Sequence, residues 1–163
     1  MKRIKYQEGD VFVFPLRSDG YGVGLITRIS SDKHRIPLGY FFKHKYASIP
    51  NMIDPSLIEK HKTVLISKFG IQGIRNGTWH NVGKIKEFDR ADWPIPLFLR
   101  HTEPFPPRLV QYNDDLDEIE DKKAPPNIDV SSYYRAGLDG SGAIEIRMTG
   151  LIDGNTGFID GNN

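Results

Sequence analysis

The stretch Gly9–Ile29, "GDVFVFPLRSDGYGVGLITRI", decides the fold. Apolar side chains alternate over residues 10–16 so that both faces of the segment are hydrophobic, which is the pattern of a buried β-strand. Pro15 has no backbone N–H to donate to a ladder, so we expect it at the end of that strand. The letters "RSDG" supply turn residues, and β-branched and aromatic residues return in Tyr21–Ile29. The stretch therefore predicts a β-hairpin.

Three glycines, Gly20, Gly22 and Gly24, lie within five positions of this hairpin. A phosphate-binding loop would lead its glycines into a helix N-terminus, but these glycines lead into the β pattern "LITRI". We therefore expect Gly20 to turn the hairpin with a positive φ. Gly22 and Gly24 should leave room for a large aromatic side chain or a second backbone to approach the strand, or should mark a bend in it.

The remaining chain adds more strand patterns than helical ones. Asp54-Pro55 predicts a short helix that ends at His61, and Asn76-Gly77 predicts a tight turn between strands. Further strands are predicted at 36–43, 63–70, 108–112 and 142–150, with one more strand or edge segment running to His101. These patterns indicate a mainly β (α+β) fold with a curled or barrel-like antiparallel sheet and one or two short helices.

The composition indicates one domain spanning residues 1–163, because 163 residues can build one core but are few for two. The chain has no cysteine, its first residues lead into no signal-like apolar run, and no stretch reaches the length of a membrane span. We expect a cytoplasmic protein without membrane contact. Residues 1–112 hold 18 basic and 10 acidic side chains, whereas residues 113–163 hold 4 and 11. The acidic connector at about 113–124 is given no predicted order, and a C-terminal β extension or tail follows it.

The sequence contains no clear catalytic or metal-binding motif. The five histidines lie far apart and form neither an H-x-H nor an H-E-x-x-H pair, and no serine stands in a nucleophile elbow. We therefore predict no catalytic residue, metal site or cofactor. Basic and aromatic residues mix in "GYFFKHKY", which would suit a small nucleic-acid-binding β-barrel, but the alternation favours a strand whose aromatic side chains lie in the core. Nucleic acid is thus a disfavoured partner.

The most distinctive segment is "EFDRADWPIPLF", residues 87–98, because a tryptophan between charges and prolines either binds a partner or packs inside. Tryptophan and arginine dominate interface energies, and prolines reduce the entropy lost on binding. The alternative is that Trp93 plugs the end of the sheet while Asp89 or Asp92 caps a turn. We predict a partner-binding surface that combines this segment, the hairpin and the acidic connector, with the residues Asp89, Arg90, Asp92, Trp93, Tyr21, Asp114, Asp115, Asp117 and Glu118.

Several blocks in order resemble a known bacterial family. They are "YQEGDVFVFPLRSDGYGVGLITRI", "LGYFF", "ISKFGIQGIRNGTWHNVGKI" and "FDRADWPIPLFLR", and together they cover roughly residues 6–102. These blocks are similar to the immunity protein 26 family, which is grouped with a HocA-type phosphotriesterase.

The resemblance implies two different functions. An immunity protein of a polymorphic toxin system would bind a cognate toxin in the cytoplasm of the bacterium and neutralise it by occlusion. A phosphotriesterase-like hydrolase would cleave a phosphotriester, a reaction that normally needs a metal-activated water. Because no ligand cluster is evident in the sequence, toxin binding is the leading interpretation. The acidic residues 113–121 suggest a basic, nuclease-like toxin, and the oligomeric state stays open.

Overall fold

The fold, taken from a computed structural model that describes residues 5–154, is mainly β with two sheets and two helices. The predicted fold class is therefore confirmed. Neither sheet closes into a barrel within the described residues.

The first sheet has six strands in the order β10-β4-β3-β2-β1-β5. Neighbouring strands run antiparallel except for the short parallel pair β10–β4. The strands are β1 Asp10–Pro15, β2 Tyr21–Ile29, β3 Pro37–Tyr46, β4 Thr63–Phe69, β5 His80–Lys84 and β10 Leu138–Asp139. The predicted hairpin is β1–β2: Pro15 ends β1, and Gly20 has a φ of +73° in the turn.

The second sheet has four strands in the order β8-β7-β6-β9. Its strands are β6 Phe98–Arg100, β7 Arg108–Tyr112, β8 Glu118–Lys123 and β9 Tyr134–Arg135. The strand predicted at 108–112 is β7. The connector at 113–124 holds β8, which pairs with β7 with one register shift, between Gln111 and Tyr112.

The two helices are α1 Gln72–Asn76 and α2 Ser141–Asp153. The prediction of a strand at 142–150 is wrong, because these residues form part of α2. Their apolar residues alternate as in a strand, but they also have the spacing of a helix. Ile144 and Met148, four residues apart, are buried on one face of α2 against the aromatic side chains of the first sheet. The last residues of the predicted C-terminal extension, 155–163, lie outside the described residues.

Two local predictions are also wrong. The Asn76-Gly77 pair ends α1, with Gly77 in the left-handed region at a φ of +82°, and does not turn a hairpin. The helix predicted to reach His61 is replaced by two 3₁₀ turns, Pro55–Leu57 and Lys60–Lys62. Asp54 nevertheless accepts the N–H of Ser56, as a capping residue should.

The first sheet lies between two apolar clusters. Val11 and Val13 face the second sheet, where Phe98 and Val110 contribute to the same cluster. The opposite face packs the rings of an aromatic cluster against α2, with Phe12 stacked on the Trp79 ring at 5.3 Å between centroids. The members of this aromatic cluster are Phe12, Phe14, Phe41, Phe69 and Trp79.

The hairpin glycines receive aromatic rings, as predicted. A Cβ added at Gly22 would lie 2.5 Å from Cζ of Phe14, and one at Gly24 would lie 2.6 Å from Cζ of Phe12. Because real Cβ atoms do not approach other atoms so closely, these positions accept only glycine without rearrangement of the core.

Candidate partner-binding surface

The segment around Trp93 is anchored in the core. The Trp93 side chain is only 6% exposed and packs edge-on against Tyr40 and Phe42 of β3. The Tyr40 hydroxyl donates to the Pro94 carbonyl. Asp89 accepts the N–H of Ala91 and caps a 3₁₀ turn that includes Asp92. Trp93 therefore plugs the space beside the sheet, while the charged residues before it stay at or near the surface.

Arg28 connects this segment to the acidic connector. Its side chain is only 4% exposed, and its Nε donates to Asp114 Oδ1 at 2.9 Å. The same guanidinium donates to the carbonyls of Thr27 and Arg90. A buried cation needs a carboxylate and hydrogen-bond acceptors around it. The Arg28 contacts therefore hold Arg90 and Asp114, which are distant in sequence, at one place.

Arg90 forms a two-pronged ion pair with Glu8. Its Nε donates to Oε2 at 3.0 Å and its Nη2 to Oε1 at 2.6 Å. The Glu8 carboxylate raises the pKa of Arg90, and the nearby charges of Asp114 and Asp115 raise it further. The acidic connector thus begins within electrostatic reach of Arg90, in the segment before Trp93.

The connector begins with an ordered loop, residues 113–117, which we call the acidic turn. The Asn113 side-chain oxygen accepts the N–H groups of Asp115 and Asp117 at 3.0 and 2.9 Å. Leu116 adopts a φ of +63° and buries its side chain in the cluster between the sheets. This arrangement leaves the Asp114, Asp115 and Asp117 residues exposed on a loop whose shape is set by its own backbone hydrogen bonds and by the core.

Glu118 and Asp121 of β8 bind two arginines of the neighbouring strands. Arg100 donates two hydrogen bonds to Glu118 at 2.9 and 3.0 Å and a third to Asp121 at 2.6 Å. Arg108 donates to the other Asp121 oxygen at 2.6 Å. The pKa of Glu118 is lowered by its bond to Arg100, and that of Asp121 is lowered first by its bond to Arg108. The arginines therefore hold both carboxylates in the charged form.

Tyr21 is the one predicted residue that lies apart from the others. It begins β2 and pairs with Tyr46, whereas Arg28 stands at the opposite end of that strand. The seven residue steps between them span about 23 Å of extended backbone. The structure thus brings Arg90 close to the acidic turn, with Asp89 and Asp92 in the same 3₁₀ segment, but leaves Tyr21 at the other end of the sheet.

Sequence reasoning missed the residues that join these segments, Glu8, Arg28 and Arg100. Arg28 carried a usable signal, because an arginine inside the apolar strand "YGVGLITRI" must find a carboxylate once it is buried. Nothing in the local sequence indicated which carboxylate, since Asp114 is 86 residues away.

No group of three histidine, cysteine, aspartate or glutamate side chains within residues 5–154 is arranged to hold a metal ion. A small cavity of about 70 Å³ lies beside the aromatic cluster, with Asp10, Phe12, Trp79 and Asn81 in its wall. Burial raises the pKa of Asp10. In the strand containing "GYFFKHKY", both phenylalanines are fully buried, so their rings are not available for base stacking.

Comparison of the sequence with protein families identifies the family of the chain. Residues 7–108 match the family described as Immunity protein 26, which is well over half of the chain. The chain belongs to the immunity protein 26 family. The match takes in five of the six strands of the first sheet, the Trp93 segment and β6, and it ends as β7 begins, so that β10 lies beyond it. Of the residues that form the candidate surface of this immunity protein 26 member, Glu8, Arg28 and Arg90 lie inside the matched range. The acidic turn and β8 lie beyond it.

Comparisons with curated proteins and with solved structures gave no match. Within the described part of this immunity protein 26 member, neither helix has the length and apolar character needed to cross a membrane.

Proposed function

We propose that this chain binds and neutralises a cognate toxin in the cytoplasm of the bacterium that makes both proteins, and that it acts by occluding the toxin. Membership of the immunity protein 26 family carries this proposal. Self-protection from a polymorphic toxin requires a soluble inhibitor that recognises one toxin domain, and a rigid domain with a presented charged surface suits that task.

The acidic turn, Asp89, Arg90 and Asp92 form the binding surface in this proposal. The turn is preorganised by Asn113 and Leu116, so little conformational entropy is lost when a partner contacts it. Neither Asp115 nor Asp117 has a cationic partner within 4.0 Å in the described part of the chain. Two unpaired surface carboxylates favour a partner with a basic surface, as a nuclease-like toxin would have.

Co-expression with the toxin from the neighbouring reading frame tests the proposal. Cells that make the toxin together with this chain should survive, and the purified proteins should form a complex by titration calorimetry. The affinity should fall as salt is raised from 50 to 500 mM if opposite charges attract the partners, by roughly tenfold or more. Cells that die in spite of co-expression, or purified proteins that form no complex, would refute the proposal.

A further inference from the structure

The strand β8 has an open edge. It pairs with β7 on one side, and no strand of residues 5–154 pairs with its other side. The six residues of β8 present about 20 Å of extended backbone. The other edge strands are less suitable for pairing. β9 and β10 have two residues each, and β5 has a register shift in its middle and a glycine with a φ of +155°. The register shift of β8 lies at its start, so the residues 120–123 pair regularly with β7.

The register shows which backbone groups of β8 point outward. The Ala124 N–H donates to the Pro107 carbonyl at 3.0 Å, so these two opposed residues form a hydrogen-bonded pair. Hydrogen-bonded and non-hydrogen-bonded pairs alternate along an antiparallel ladder. Lys123 and Asp121, paired with Arg108 and Val110, therefore direct their N–H groups away from β7.

The open edge is held in place by the ion pairs of the second sheet. Arg100 and Arg108 bind Glu118 and Asp121 across the face of the strand, at 2.6 to 3.0 Å. A strand that is already extended and hydrogen-bonded on one side loses little entropy when another strand joins it. Ile119, which is 56% exposed, adds an apolar contact at the start of this edge.

We propose that an extended, lysine- or arginine-bearing strand of the toxin adds to the edge of β8 as a fifth strand of the second sheet. The proposal rests on the proposed function and deepens it. The acidic turn adjoins the beginning of β8, and its Asp115 and Asp117 have no cation within 4.0 Å in the described residues, whereas Glu118 is paired with Arg100 and Glu120 with Lys122. Main-chain hydrogen bonds to Asp121 and Lys123 supply affinity, and basic side chains at one end of the added strand meet the carboxylates of the acidic turn.

The substitution Lys123→Pro tests strand addition, with Lys123→Ala as its matched control. Both remove the lysine charge, but only proline removes the outward N–H and places a ring where the added strand would lie. We expect Lys123→Pro to weaken toxin binding about tenfold and Lys123→Ala to change it less than about threefold. Thermal unfolding of both variants, with circular dichroism, shows that each is folded.

Hydrogen exchange on the wild-type complex locates the contact independently of any substitution. Strand addition should slow exchange of the Asp121 and Lys123 amides when the toxin binds. If a complex forms but these amides stay unprotected, or if the two variants bind equally well, strand addition is wrong while the toxin-binding function stands. If no complex forms, the proposed function fails and strand addition fails with it.

Discussion

The first sheet buries side chains on both of its faces, whereas the second sheet buries one face against the first and covers the other only with a small cluster around Leu99 and Leu109. On one face of the first sheet, aromatic rings pack directly on glycines of β2. In the second sheet, arginine–carboxylate pairs join β6 and β7 to the edge strand β8. The difference separates a part that determines stability from a part that carries, in the acidic turn before β8, carboxylates without an ion-pair partner in the described residues.

The largest effect on stability should come from Phe12→Ala in the first sheet. Phe12 contacts Phe14, Phe41, Phe69 and Trp79, so its removal leaves a cavity among rigid rings. We expect a loss of about 3–5 kcal/mol in the free energy of unfolding, measured by urea denaturation. Phe105→Ala is the control, because Phe105 is 67% exposed in the turn before β7. A loss at Phe105 as large as that at Phe12 would contradict the comparison.

The substitution Gly24→Ala should have the next largest effect. The added methyl group would meet Phe12 at 2.6 Å and Phe41 at 3.1 Å, so the rings must move. Overpacking of this kind costs about 1–3 kcal/mol. At Gly70 a Cβ would meet atoms no nearer than 3.9 Å, which makes Gly70→Ala the matched control with an expected change of less than about 1 kcal/mol. Equal losses in the two variants would show that the ring contacts are not decisive.

Asp114→Asn should have a smaller effect, because Asp114 is 63% exposed and water can partly replace it. Its loss still deprives the buried Arg28 guanidinium of the carboxylate it binds. We expect a destabilisation of about 1 kcal/mol, and less than about 0.5 kcal/mol for Asp115→Asn, whose side chain has no ion pair in the described residues. Denaturation curves that rank these two variants in the opposite order would exclude the role of Arg28 as a connecting residue.

Acid should weaken the second sheet before the first. The pKa values of Glu118 and Asp121 are lowered in the folded protein by Arg100 and Arg108. A lowered carboxyl pKa contributes stability that is complete above the ordinary value and is lost as the pH falls through the folded value. Below about pH 4.5, amide protection factors in β7 and β8 should therefore fall earlier than those in β2 and β3. If the protection factors fell at the same pH in both sheets, these ion pairs would not stabilise the second sheet in particular.

The hairpin and its glycines could be predicted from the sequence because their signals are local. Alternation of valine and phenylalanine placed β1, and the spacing of Gly22 and Gly24 indicated the close approach of large side chains. The helix α2 was missed because "GAIEIRMTG" alternates as a strand does, and only tertiary packing shows that Ile144 and Met148 share a buried face. Local propensity is a weak guide where tertiary contacts decide.

The candidate surface could be predicted only in part. The acidic residues were visible as a charge run, and the alternative that Trp93 packs inside matches its position in the structure. The ordered conformation of the acidic turn could not be predicted, because it depends on the burial of Leu116 in a core formed by strands that are distant in sequence. Arg28 and Asp114 meet across 86 residues, and neither local pattern nor composition specifies such a pair.

The central claim is that the surface on the side of the second sheet recognises the toxin while the first sheet maintains the fold. The affinities of two charge-reversed variants for the purified toxin test it most directly. They are Asp115→Lys on the acidic turn and Lys43→Glu on β3 of the first sheet. Both residues are exposed, so both variants should fold normally. We predict that Asp115→Lys weakens binding by about tenfold or more, whereas Lys43→Glu changes it less than about threefold. Loss of binding in Lys43→Glu with full binding in Asp115→Lys would contradict the claim.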